Sequence, residues 1–493
     1  MASQRAYLRL QQMKTAIVLG AIYVILRLEA LMEIIVCGAA GGEVTGSAYL
    51  VRTNKAQVLI DFGLFQGSSH VDELNVMPPQ IDPEKLTAVV LTHAHLDHTG
   101  RLPLLTKHGY KKPIFATPAT IMMANLILTD SAFLQRADAE RWSRRHPKEP
   151  PMEPLYTAAD VEALNPLYRE LDYGQATTVA RGISITAHEA GHMLGSTSLE
   201  MTIEDNGTKK VVVFSGDLGP RGAPILRDSH SFSHADLVFM ESTYGDRNHR
   251  PLLETAIEAR EIINKAIQTK GKILVPVFAV GRAQLLLYLL AGAFQRKTLP
   301  PFPIYLDSPM AIKATQIYRE HVELFDEEAL AMSRSGELSA NLRTLKTCES
   351  AAESKALNEV EGPCMILAGS GMCTGGRILH HLRHNLSNPS TKVLIVGYQS
   401  HGSLGRRLVD RAETVRIFGD EVQVRASIHT LGGFSAHAGQ TDLMNWIGTL
   451  AKASPSVVLT HGEDQPRQHL GRKLRDDLKL KPKFPALGET IAL

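Results

Sequence analysis

LTAVVLTHAHLDH, residues 86–98, joins a short apolar run to three histidines and one aspartate. The run at 86–92 is brief and rich in β-branched side chains, which predicts a buried strand. His93 and His95 would leave the end of this strand pointing the same way, as two ligands of one metal ion must. Asp97 and His98, at the start of an incoming helix, can face a second ion. Imidazole and carboxylate groups together favour zinc or a similar first-row dication, so we predict a metal centre here rather than a polar loop.

Length and composition indicate a globular protein of two domains. The 493 residues exceed what one ordinary core accommodates. With 44% hydrophobic and 21% charged residues, and no repeat or low-complexity tract, the composition is that of a folded chain. The net charge is only +2, so contact with a nucleic acid requires a local basic cluster. Four widely spaced cysteines without a CxxC pair disfavour a disulfide framework or a zinc ribbon and fit the reducing cytoplasm.

The first 31 residues differ from the rest of the chain. Their apolar run at 16–26 is too short to span a bilayer, and no small-residue cleavage site follows it. A signal-like or membrane-tethering segment is the alternative to a dispensable extension; we favour the extension and expect no stable membrane association. Met32 opens MEIIVCGAAGGEVTGSAYLV, which predicts a strand hairpin because no phosphate-loop GK[ST] follows its glycines.

Polar side chains follow several other apolar strands in the same manner. The residues at or just beyond these strand ends are Asp61, His192, Asp217, Glu241, His437 and His461. Where strand ends converge on one edge, α/β proteins commonly build a binding or catalytic site. Asp217 can bridge two cations through its two oxygens, and His192 lies in a glycine-flanked turn that permits close approach to a metal. Asp61 could be a ligand but is expected instead to hold a ligand histidine or the HAHLDH turn, and His188 is expected in a loop or as a support for a ligand, outside the ligand set.

From Asp246 onward the pattern changes to alternating helices and strands. Two strand–loop–helix units, GPCMILAGSGMCTGGR and KVLIVGYQSHGSLGRRL, predict a small doubly wound sheet. Their glycine-rich loops at 369–376 and 402–405 present backbone N–H groups at helix starts, which favours phosphate. The alternative is that these glycines serve only tight turns. His380, His381 and His384 are expected on a solvated helix face rather than at a metal.

The ordered set HAHLDH, GHMLG, SGDLG, ESTYG, FSAHAG and LTHGE resembles the metallo-β-lactamase superfamily, and more narrowly its β-CASP nucleases. That family includes the endonuclease of the polyadenylation complex and RNase J-like enzymes. ESTYG, FSAHAG and LTHGE look like its motifs A, B and C. The resemblance implies an α/β fold: a metallo-β-lactamase αββα sandwich with an inserted doubly wound β-CASP domain. The expected limits are an extension at 1–31, the metallo-β-lactamase domain at 32–245 and 434–493, and the β-CASP domain at 246–433.

The same resemblance implies two zinc ions, with manganese as the alternative. One ion would take His93, His95 and His192, the other Asp97, His98 and His461, with Asp217 bridging. In this family a histidine at motif C accompanies RNA substrates, so His461 favours RNA. FSAHAG departs from the family pattern at Gly439, where many relatives carry aspartate, and this departure is expected to loosen the orientation of His437.

We therefore predict a ribonuclease that cuts single-stranded RNA with a hydroxide held by both ions, leaving a 3′-hydroxyl and a 5′-phosphate. The residues expected to act in the reaction are Asp97, Glu241 and His437, with His437 as a general acid paired with Glu241. The residues expected to contact backbone phosphates are Ser370, Gly371, Arg377, Gln399 and Arg406. A duplex is too wide for a site buried at strand ends. Related enzymes often form homodimers, and the sequence leaves the oligomeric state open.

Three alternative functions remain. Another binuclear hydrolase of the superfamily, such as a lactonase, thioesterase or β-lactamase, is disfavoured by the long insert and by Glu241, His437 and His461. A non-catalytic RNA-processing subunit is disfavoured because such proteins lose metal ligands, which this chain keeps. A DNA nuclease is disfavoured by His461 alone. Whether cleavage is internal or proceeds from the 5′ end is also left open.

Overall fold

The protein's computed structural model describes residues 32–67, 71–400 and 402–493. The predictions for residues 1–31 lie outside the described residues. Within the described ranges, no helix is both long enough and apolar enough to cross a membrane. The same ranges form three large sheets and a two-stranded ribbon.

The first sheet begins with the predicted hairpin. Its first six strands are β1 (Glu33–Val36), β2 (Tyr49–Arg52), β3 (Gln57–Ile60), β4 (Ala88–Val90), β5 (Ile114–Ala116) and β6 (Tyr168–Glu170). β1 and β2 pair antiparallel, with Ile34 opposite Val51, so the hairpin is confirmed. The strands from β3 to β6 run parallel to one another, which places their carboxyl ends at one edge.

The second sheet follows directly in the chain. Its strands are β7 (Ala176–Ala180), β8 (Ile183–Glu189), β9 (Thr197–Asp205), β10 (Thr208–Phe214) and β11 (Leu237–Glu241). Neighbours from β7 to β10 pair antiparallel, whereas β10 and β11 are parallel. β10 and β11 therefore end at the same edge. Glu241 is the last residue of β11, and Asp217 lies just beyond the end of β10.

The chain then enters the insert, which forms the third sheet. The strands of the insert are β12 (Lys272–Pro276), β13 (Ile304–Asp307), β14 (Leu345–Thr347), β15 (Cys364–Ala368), β16 (Lys392–Ile395), β17 (Thr414–Ile417), β18 (Asp420–Gln423) and β19 (Ser427–Thr430). The sheet order is β14-β13-β15-β12-β16-β19 and every pairing is parallel, while β17 and β18 form the separate ribbon. The loops after β12, β15 and β16 consequently share one edge.

The last part of the chain returns to the two stacked sheets. β20 (Ser456–Thr460) and β21 (Pro482–Lys483) join the second sheet beside β11, and β22 (Thr490–Ala492) joins the first beside β1. The two sheets pack face to face around side chains such as Ile34, Val58, Met201 and Phe214, all fully buried or nearly so. Apolar residues at alternate strand positions supply this core, as expected for strands buried on one face by another sheet.

Helices cover the outer faces of both sheets. The helices here are Val71–Leu74, Leu96–Thr99, Leu102–Lys107, Pro118–Arg145, Ala158–Glu162, Gln440–Gly448 and Asp464–Leu478, with single 3₁₀ turns at Asn165–Leu167 and Ala451–Ala453. Leu105 and Leu128 pack on the first sheet, and Trp446 and Leu470 pack on the second. This is the αββα sandwich predicted from the sequence, and the fold class is confirmed.

The insert carries helices on both faces of its sheet. They are Leu252–Gln268, Arg282–Gln295, Pro309–Glu320, Glu327–Arg334, Glu337–Asn341, Ala351–Ala356, Arg377–Asn385 and Leu404–Val409, with a 3₁₀ turn at Val322–Leu324. One face buries Leu287 and Ile304 among others, and the other buries Ile366 and Leu382. Helices on both faces of a parallel sheet make the insert doubly wound, as predicted.

The histidine cluster on helix Arg377–Asn385 is divided between surface and core. His380 and His384 are exposed, but His381 is fully buried, with Nε2 2.6 Å from Oδ2 of Asp307. The prediction of one solvated face is therefore wrong for His381. Adjacent helical residues point about 100° apart, so three histidines at consecutive and i+3 positions cannot all face solvent when the helix packs on a sheet.

A further buried cluster joins the insert to the sandwich. Ala94 and Met193 come from the sandwich, and Val280, Ile317 and Tyr318 come from the insert. Because Ala94 lies between His93 and His95, this cluster holds the start of helix Arg282–Gln295 close to the HAHLDH turn.

Candidate metal centre

The candidate site lies where strands of both stacked sheets end. β4 leads into residues 93–98, the turn between β8 and β9 carries His192, β10 leads to Asp217, and β20 ends one residue before His461. His93, His192, Asp217 and His461 are all buried. Side chains far apart in the sequence thus meet at one edge.

Two unusual backbone positions bring ligands into place. Gly216 has a φ of 56°, and a Cβ there would lie 2.7 Å from the Thr197 carbonyl oxygen, so only glycine lets the chain reach Asp217. His461 has a φ of 50°, which is uncommon for a residue with a side chain and occurs preferentially at functional sites. Its N–H donates to the Ala39 carbonyl at 2.9 Å, which holds this conformation.

The Asp217 carboxylate lies between two sets of histidines. Its Oδ2 is 3.5 Å from Nε2 of His93 and 3.6 Å from Nε2 of His192. Its Oδ1 is 3.2 Å from Nε2 of His98 and 3.5 Å from Nε2 of His461. Each carboxylate oxygen therefore faces a different pair of imidazoles, which is the arrangement that a bridging ligand requires.

Two further residues complete the sets. Nδ1 of His95 lies 3.0 Å from Nε2 of His192, and Oδ2 of Asp97 lies 3.4 Å from Nε2 of His461. In each set the donor atoms lie within 4.8 Å of one another; the sets are His93, His95, His192 and Asp217, and Asp97, His98 and His461. The structure thus brings together all seven residues proposed as metal ligands.

Most of these imidazoles are held through their Nδ1 atoms. The partners are the Thr92 hydroxyl for His93 (3.1 Å), the Asp61 carboxylate for His98 (2.8 Å), the Ala436 carbonyl for His192 (2.9 Å) and the Thr243 hydroxyl for His461 (3.1 Å). With Nδ1 engaged, Nε2 faces the centre of the cluster. Partners of this kind orient metal-binding histidines and select the tautomer that can coordinate.

The protonation states differ between the two sets of histidines. Burial alone would lower the pKa values of His98 and His461, but the Asp217 carboxylate outweighs burial and raises both, so a metal would displace a proton there. The other set and Asp217 already suit metal binding. Burial holds the pKa values of His93 and His192 well below the usual range for histidine and lowers that of His95 to about 4, so these imidazoles are neutral. Burial alone would raise the pKa of Asp217, but His461 and His98 outweigh it and hold that pKa well below its ordinary value. Neutral imidazole and ionised carboxylate are the forms that coordinate a metal.

Several donor atoms in the centre lack a partner within the protein. Among the described residues, Nε2 of His93, Nε2 of His461 and Oδ1 of Asp217 are buried without any hydrogen bond. Buried polar atoms are almost always satisfied, and each nitrogen here lies 3.5 Å from one oxygen of Asp217. One divalent cation in each set would satisfy these atoms, so the residues fit a metal site.

Glu241 and His437 lie beside the Asp217 carboxylate. Nδ1 of His437 is 3.6 Å from Oε1 of Glu241 and 3.9 Å from Oδ2 of Asp217. Oε1 of Glu241 also accepts a hydrogen bond from the Leu218 N–H at 2.7 Å, which fixes its position. Burial alone would lower the pKa of His437, but the Glu241 carboxylate outweighs burial and raises it.

The turn after His437 is held by hydrogen bonds to the side chain of Asn248. A Cβ at Gly439 would lie 3.0 Å from Oδ1 of Asn248, so Asn248 already fills the space beside this glycine. The Asn248 side chain accepts from the Thr441 N–H and donates to the Thr441 hydroxyl, both at 2.9 Å. Asn248 thus anchors the turn at the position where the sequence lacks an aspartate.

Of the residues proposed to contact phosphate, all except Arg377 lie at one edge of the third sheet. Gln399 Nε2 donates to the Gly371 carbonyl at 2.8 Å, which joins the loops after β15 and β16, and the Ser370 hydroxyl caps its own loop by accepting from the Thr374 N–H at 3.0 Å. Arg406 pairs with its helix neighbour Asp410. These side chains stand at the shared edge of the third sheet.

Arg377 points elsewhere. Its Nη1 donates to Asp307 at 2.7 Å and to the Cys348 carbonyl at 2.8 Å, and its Nη2 donates to the Glu349 carbonyl at 2.6 Å. With these donors engaged inside the insert, the guanidinium serves the packing of helix Arg377–Asn385.

Among the groups that orient the ligands, sequence reasoning anticipated Asp61, which holds His98, but missed Thr92, Thr243 and the Ala436 carbonyl. Thr92 and Thr243 lie next to ligand motifs, and that adjacency was the available signal, whereas the Ala436 carbonyl has no signal because any residue carries one. Of the two roles expected for His188, the loop is wrong: His188 lies in β8, and its ring stacks on that of His230 with the centroids 4.2 Å apart.

Three family models match the chain in order. They describe the metallo-beta-lactamase superfamily at residues 41–276, the Beta-Casp domain at 283–408, and a Zn-dependent metallo-hydrolase RNA specificity domain at 421–485. Together they span both the stacked sheets and the insert.

Curated relatives match along most of the chain. Ribonuclease TTHA0252 of Thermus thermophilus is 43% identical over 443 residues, which cover 90% of this chain and 96% of that protein. Transcription termination factor FttA of Thermococcus kodakarensis is 30% identical over 469 residues, 92% of this chain and 70% of that protein. A crystal structure of a protein of unknown function from Enterococcus faecalis shares the fold, with a TM-score of 0.54 at 14% identity, over 94% of this chain and all of that one.

Proposed function

This chain belongs to the metallo-β-lactamase superfamily, within its β-CASP group, and is a metal-dependent hydrolase; from that premise we propose that it is a ribonuclease acting on single-stranded RNA. The observation that carries the proposal is the Asp217 carboxylate, whose two oxygens face two separate sets of buried histidines. Such a bridge serves a pair of cations, and paired cations suit phosphodiester hydrolysis.

The residues present would hold two zinc ions, or manganese in their place. His93, His95 and His192 would form one site, Asp97, His98 and His461 the other, and Asp217 would contact both. Ions bound there would supply an activated water and would neutralise charge that develops on the phosphate. Oδ2 of Asp97 also lies 3.4 Å from Nε2 of His461, so these two residues hold each other in position within the second site.

His437 acts as the general acid. In the cleavage step a water that has lost one proton to solvent adds to phosphorus as hydroxide, the bond from phosphorus to the 3′ oxygen breaks, and that oxygen takes the proton of His437. The products are a 3′-hydroxyl and a 5′-phosphate. Glu241 keeps His437 protonated and aimed, because its carboxylate lies 3.6 Å from Nδ1 and is itself held by the Leu218 N–H.

Two comparisons with known proteins support RNA as the substrate. The relative that is 43% identical is named a ribonuclease, and the C-terminal model is described as an RNA specificity domain. The loops that carry Ser370, Gly371, Gln399 and Arg406 would contact the backbone of the strand. Arg377 supports those loops from within the insert.

A reducing compartment suits this enzyme. Cys37, Cys348, Cys364 and Cys373 are all buried and form no disulfide. We therefore place the activity in the cytoplasm.

The test is digestion of end-labelled single-stranded RNA by metal-loaded wild type and His437→Ala. Removal of a general acid should slow cleavage roughly 100-fold or more, while metal content stays the same. His384→Ala, which alters an exposed histidine of the insert, is the matched control and should cut at the wild-type rate. Cleavage of a lactone or thioester but not of RNA would instead support another hydrolase of the superfamily, and wild-type rates in His437→Ala would refute the general acid.

A further inference from the structure

Arg282 is a cation without a counterion beside the metal centre. It is the first residue of helix Arg282–Gln295 and is half-buried. Among the described residues its guanidinium makes no hydrogen bond and no ion pair, and the ionisable groups close to it are the phenols of Tyr244 and Tyr318 and the imidazole of His249. Burial lowers the pKa of Arg282 to about 10, still high enough to keep the charge at neutral pH.

The two arginines that are buried most completely among the described residues have protein partners, although Nε of Arg467 has none. Arg101 is fully buried and donates to the carbonyl oxygens of Gly63 and Gly46, and Arg467 pairs with Asp464 at 2.7 Å. An unpaired, partly desolvated guanidinium costs stability, so its retention without a partner indicates a ligand that supplies one.

The surroundings of Arg282 connect it to the reacting groups. Tyr244 belongs to the ESTYG motif, and its ring centroid lies 6.1 Å from that of His437. The guanidinium carbon of Arg247 lies 4.9 Å from the centroid of the Tyr244 ring, but this arginine is already paired with Asp246 at 3.1 Å. Burial raises the pKa of Tyr244, and both arginines oppose that rise, which places both charges near its hydroxyl.

We propose that Arg282, together with the Tyr244 hydroxyl, binds the RNA phosphate immediately 5′ of the one that is cut. The inference rests on the proposed ribonuclease function. His437 delivers its proton to the leaving 3′ oxygen, so groups that neighbour His437 on the insert side lie along the leaving strand. A guanidinium grips a phosphate through two parallel N–H bonds, and a phenol adds a third donor.

The proposal gives Arg282 a role that the glycine-rich loops do not fill. Those loops offer neutral donors and an arginine that is paired with Asp410. Arg282 would instead provide a full charge one nucleotide from the reacting phosphate. It would therefore fix the register of the strand relative to the metal centre rather than take part in bond cleavage, which makes it a positioning residue.

The experiment combines protein variants with modified RNA. One short substrate with a single cut site carries a charge-neutral methylphosphonate immediately 5′ of that site, and a second carries it one nucleotide to the 3′ side. Wild type, Arg282→Gln and Arg282→Lys are compared with Arg296→Gln, an exposed arginine beyond the other end of the same helix. Melting temperature and metal content are measured for each protein.

Arg282→Gln should lower kcat/KM on unmodified RNA by roughly 10- to 100-fold, mainly through KM, as loss of a charge-assisted contact predicts. The 5′ methylphosphonate should penalise wild type and Arg296→Gln by a similar factor but leave Arg282→Gln almost unaffected. The slope of log(kcat/KM) against log[salt] should fall by about 0.7 in the glutamine variant, the value for one phosphate contact on a single strand. Arg282→Lys should recover part of the kcat/KM that Arg282→Gln loses. The 5′ methylphosphonate should slow Arg282→Lys more than Arg282→Gln and less than wild type.

A glutamine variant that keeps the full 5′ methylphosphonate penalty would overturn the proposal, because its defect would then be structural. A larger loss from the 3′ substitution than from the 5′ one would overturn it as well. If Arg282→Gln loses metal or has a lower melting temperature, Arg282→Lys provides the test instead. A 5′ methylphosphonate penalty in Arg282→Lys equal to that of wild type would refute the role of the two parallel N–H bonds of the guanidinium. Failure of wild type to cut unmodified RNA would refute the ribonuclease function itself and is thus a separate outcome.

Discussion

Nδ1 of His98 lies 2.8 Å from Oδ2 of Asp61, and both side chains are buried. The same carboxylate accepts hydrogen bonds from the N–H and the hydroxyl of Thr92, each at 2.7 Å. Asp61 therefore joins the end of β4 to a proposed ligand and holds the HAHLDH turn in its shape. The connection is independent of any metal, so it pre-organises the site.

Asp61→Asn should weaken metal binding without unfolding the protein. The amide cannot accept all three hydrogen bonds, so His98 would lose its fixed orientation, and metal affinity should fall roughly 10- to 100-fold. Competition with a chromogenic zinc chelator measures this affinity. Asp205→Asn alters another buried aspartate, which binds Asn54 and Lys55, and should leave the affinity unchanged. Equal affinities in wild type and Asp61→Asn would contradict the role assigned to Asp61.

Glu241→Gln should reduce activity while preserving the fold of the site. Glutamine keeps an oxygen that can accept from the Leu218 N–H, but it removes the charge beside His437. RNA cleavage should slow roughly 10- to 100-fold, the usual effect of losing such a supporting partner. The readout is the single-turnover rate at saturating zinc, together with the number of ions bound per chain. Loss of a bound ion in this variant would show that Glu241 is a ligand instead.

Asp307→Asn should destabilise the insert. The Asp307 carboxylate accepts from Arg377, His381 and Ser354 at 2.6 to 2.7 Å, and it is fully buried. Removing one member of a buried charged network costs about 3 kcal/mol or more of unfolding free energy. Urea denaturation followed by fluorescence measures the loss. Asp410→Asn breaks the exposed pair with Arg406 and should cost less than about 1 kcal/mol.

Glu189→Gln should change how stability depends on pH. Burial raises the pKa of Glu189 to about 7 from its ordinary 4.5. A raised acid pKa stabilises the fold below the ordinary value, and this contribution is lost as pH rises through the folded value. The unfolding free energy of wild type should therefore fall relative to that of Glu189→Gln between about pH 5 and pH 8, by about 3 kcal/mol at most.

Urea midpoints at saturating zinc across that pH range measure the difference between the two proteins. Glu204→Gln, at an exposed position on the neighbouring strand β9, should follow wild type at every pH. A constant difference between wild type and Glu189→Gln from pH 5 to pH 8 would show that Glu189 is ionised throughout.

Local pattern alone was enough for the elements of the fold. Short apolar runs predicted β4 and the buried parts of β10 and β20, because a strand segment buried on both faces needs apolar side chains at successive positions. The glycine turn after Met32 predicted the β1–β2 hairpin for the same local reason. The residues that follow such strands stand out as candidates in the sequence, since parallel strands carry their ends to a common edge.

Contacts between remote segments could not be predicted in this way. The Ala436 carbonyl that holds His192 is 244 residues away, and any residue there would present the same carbonyl. Arg377 and Arg282 occupy the same kind of position, each beginning a helix after a strand of the insert, yet one is bound to Asp307 and the other has no partner among the described residues.

The sequence by itself thus determined which residues could coordinate a metal and that their strands would end together, because hydrophobic periodicity is a local property of the chain. Only the tertiary structure decided which nitrogen of each histidine faces Asp217, that His381 lies in the core, and which arginine is left without a counterion. Those outcomes depend on side-chain rotamers and on the packing of segments hundreds of residues apart, and neither is written in the spacing of residues along the chain.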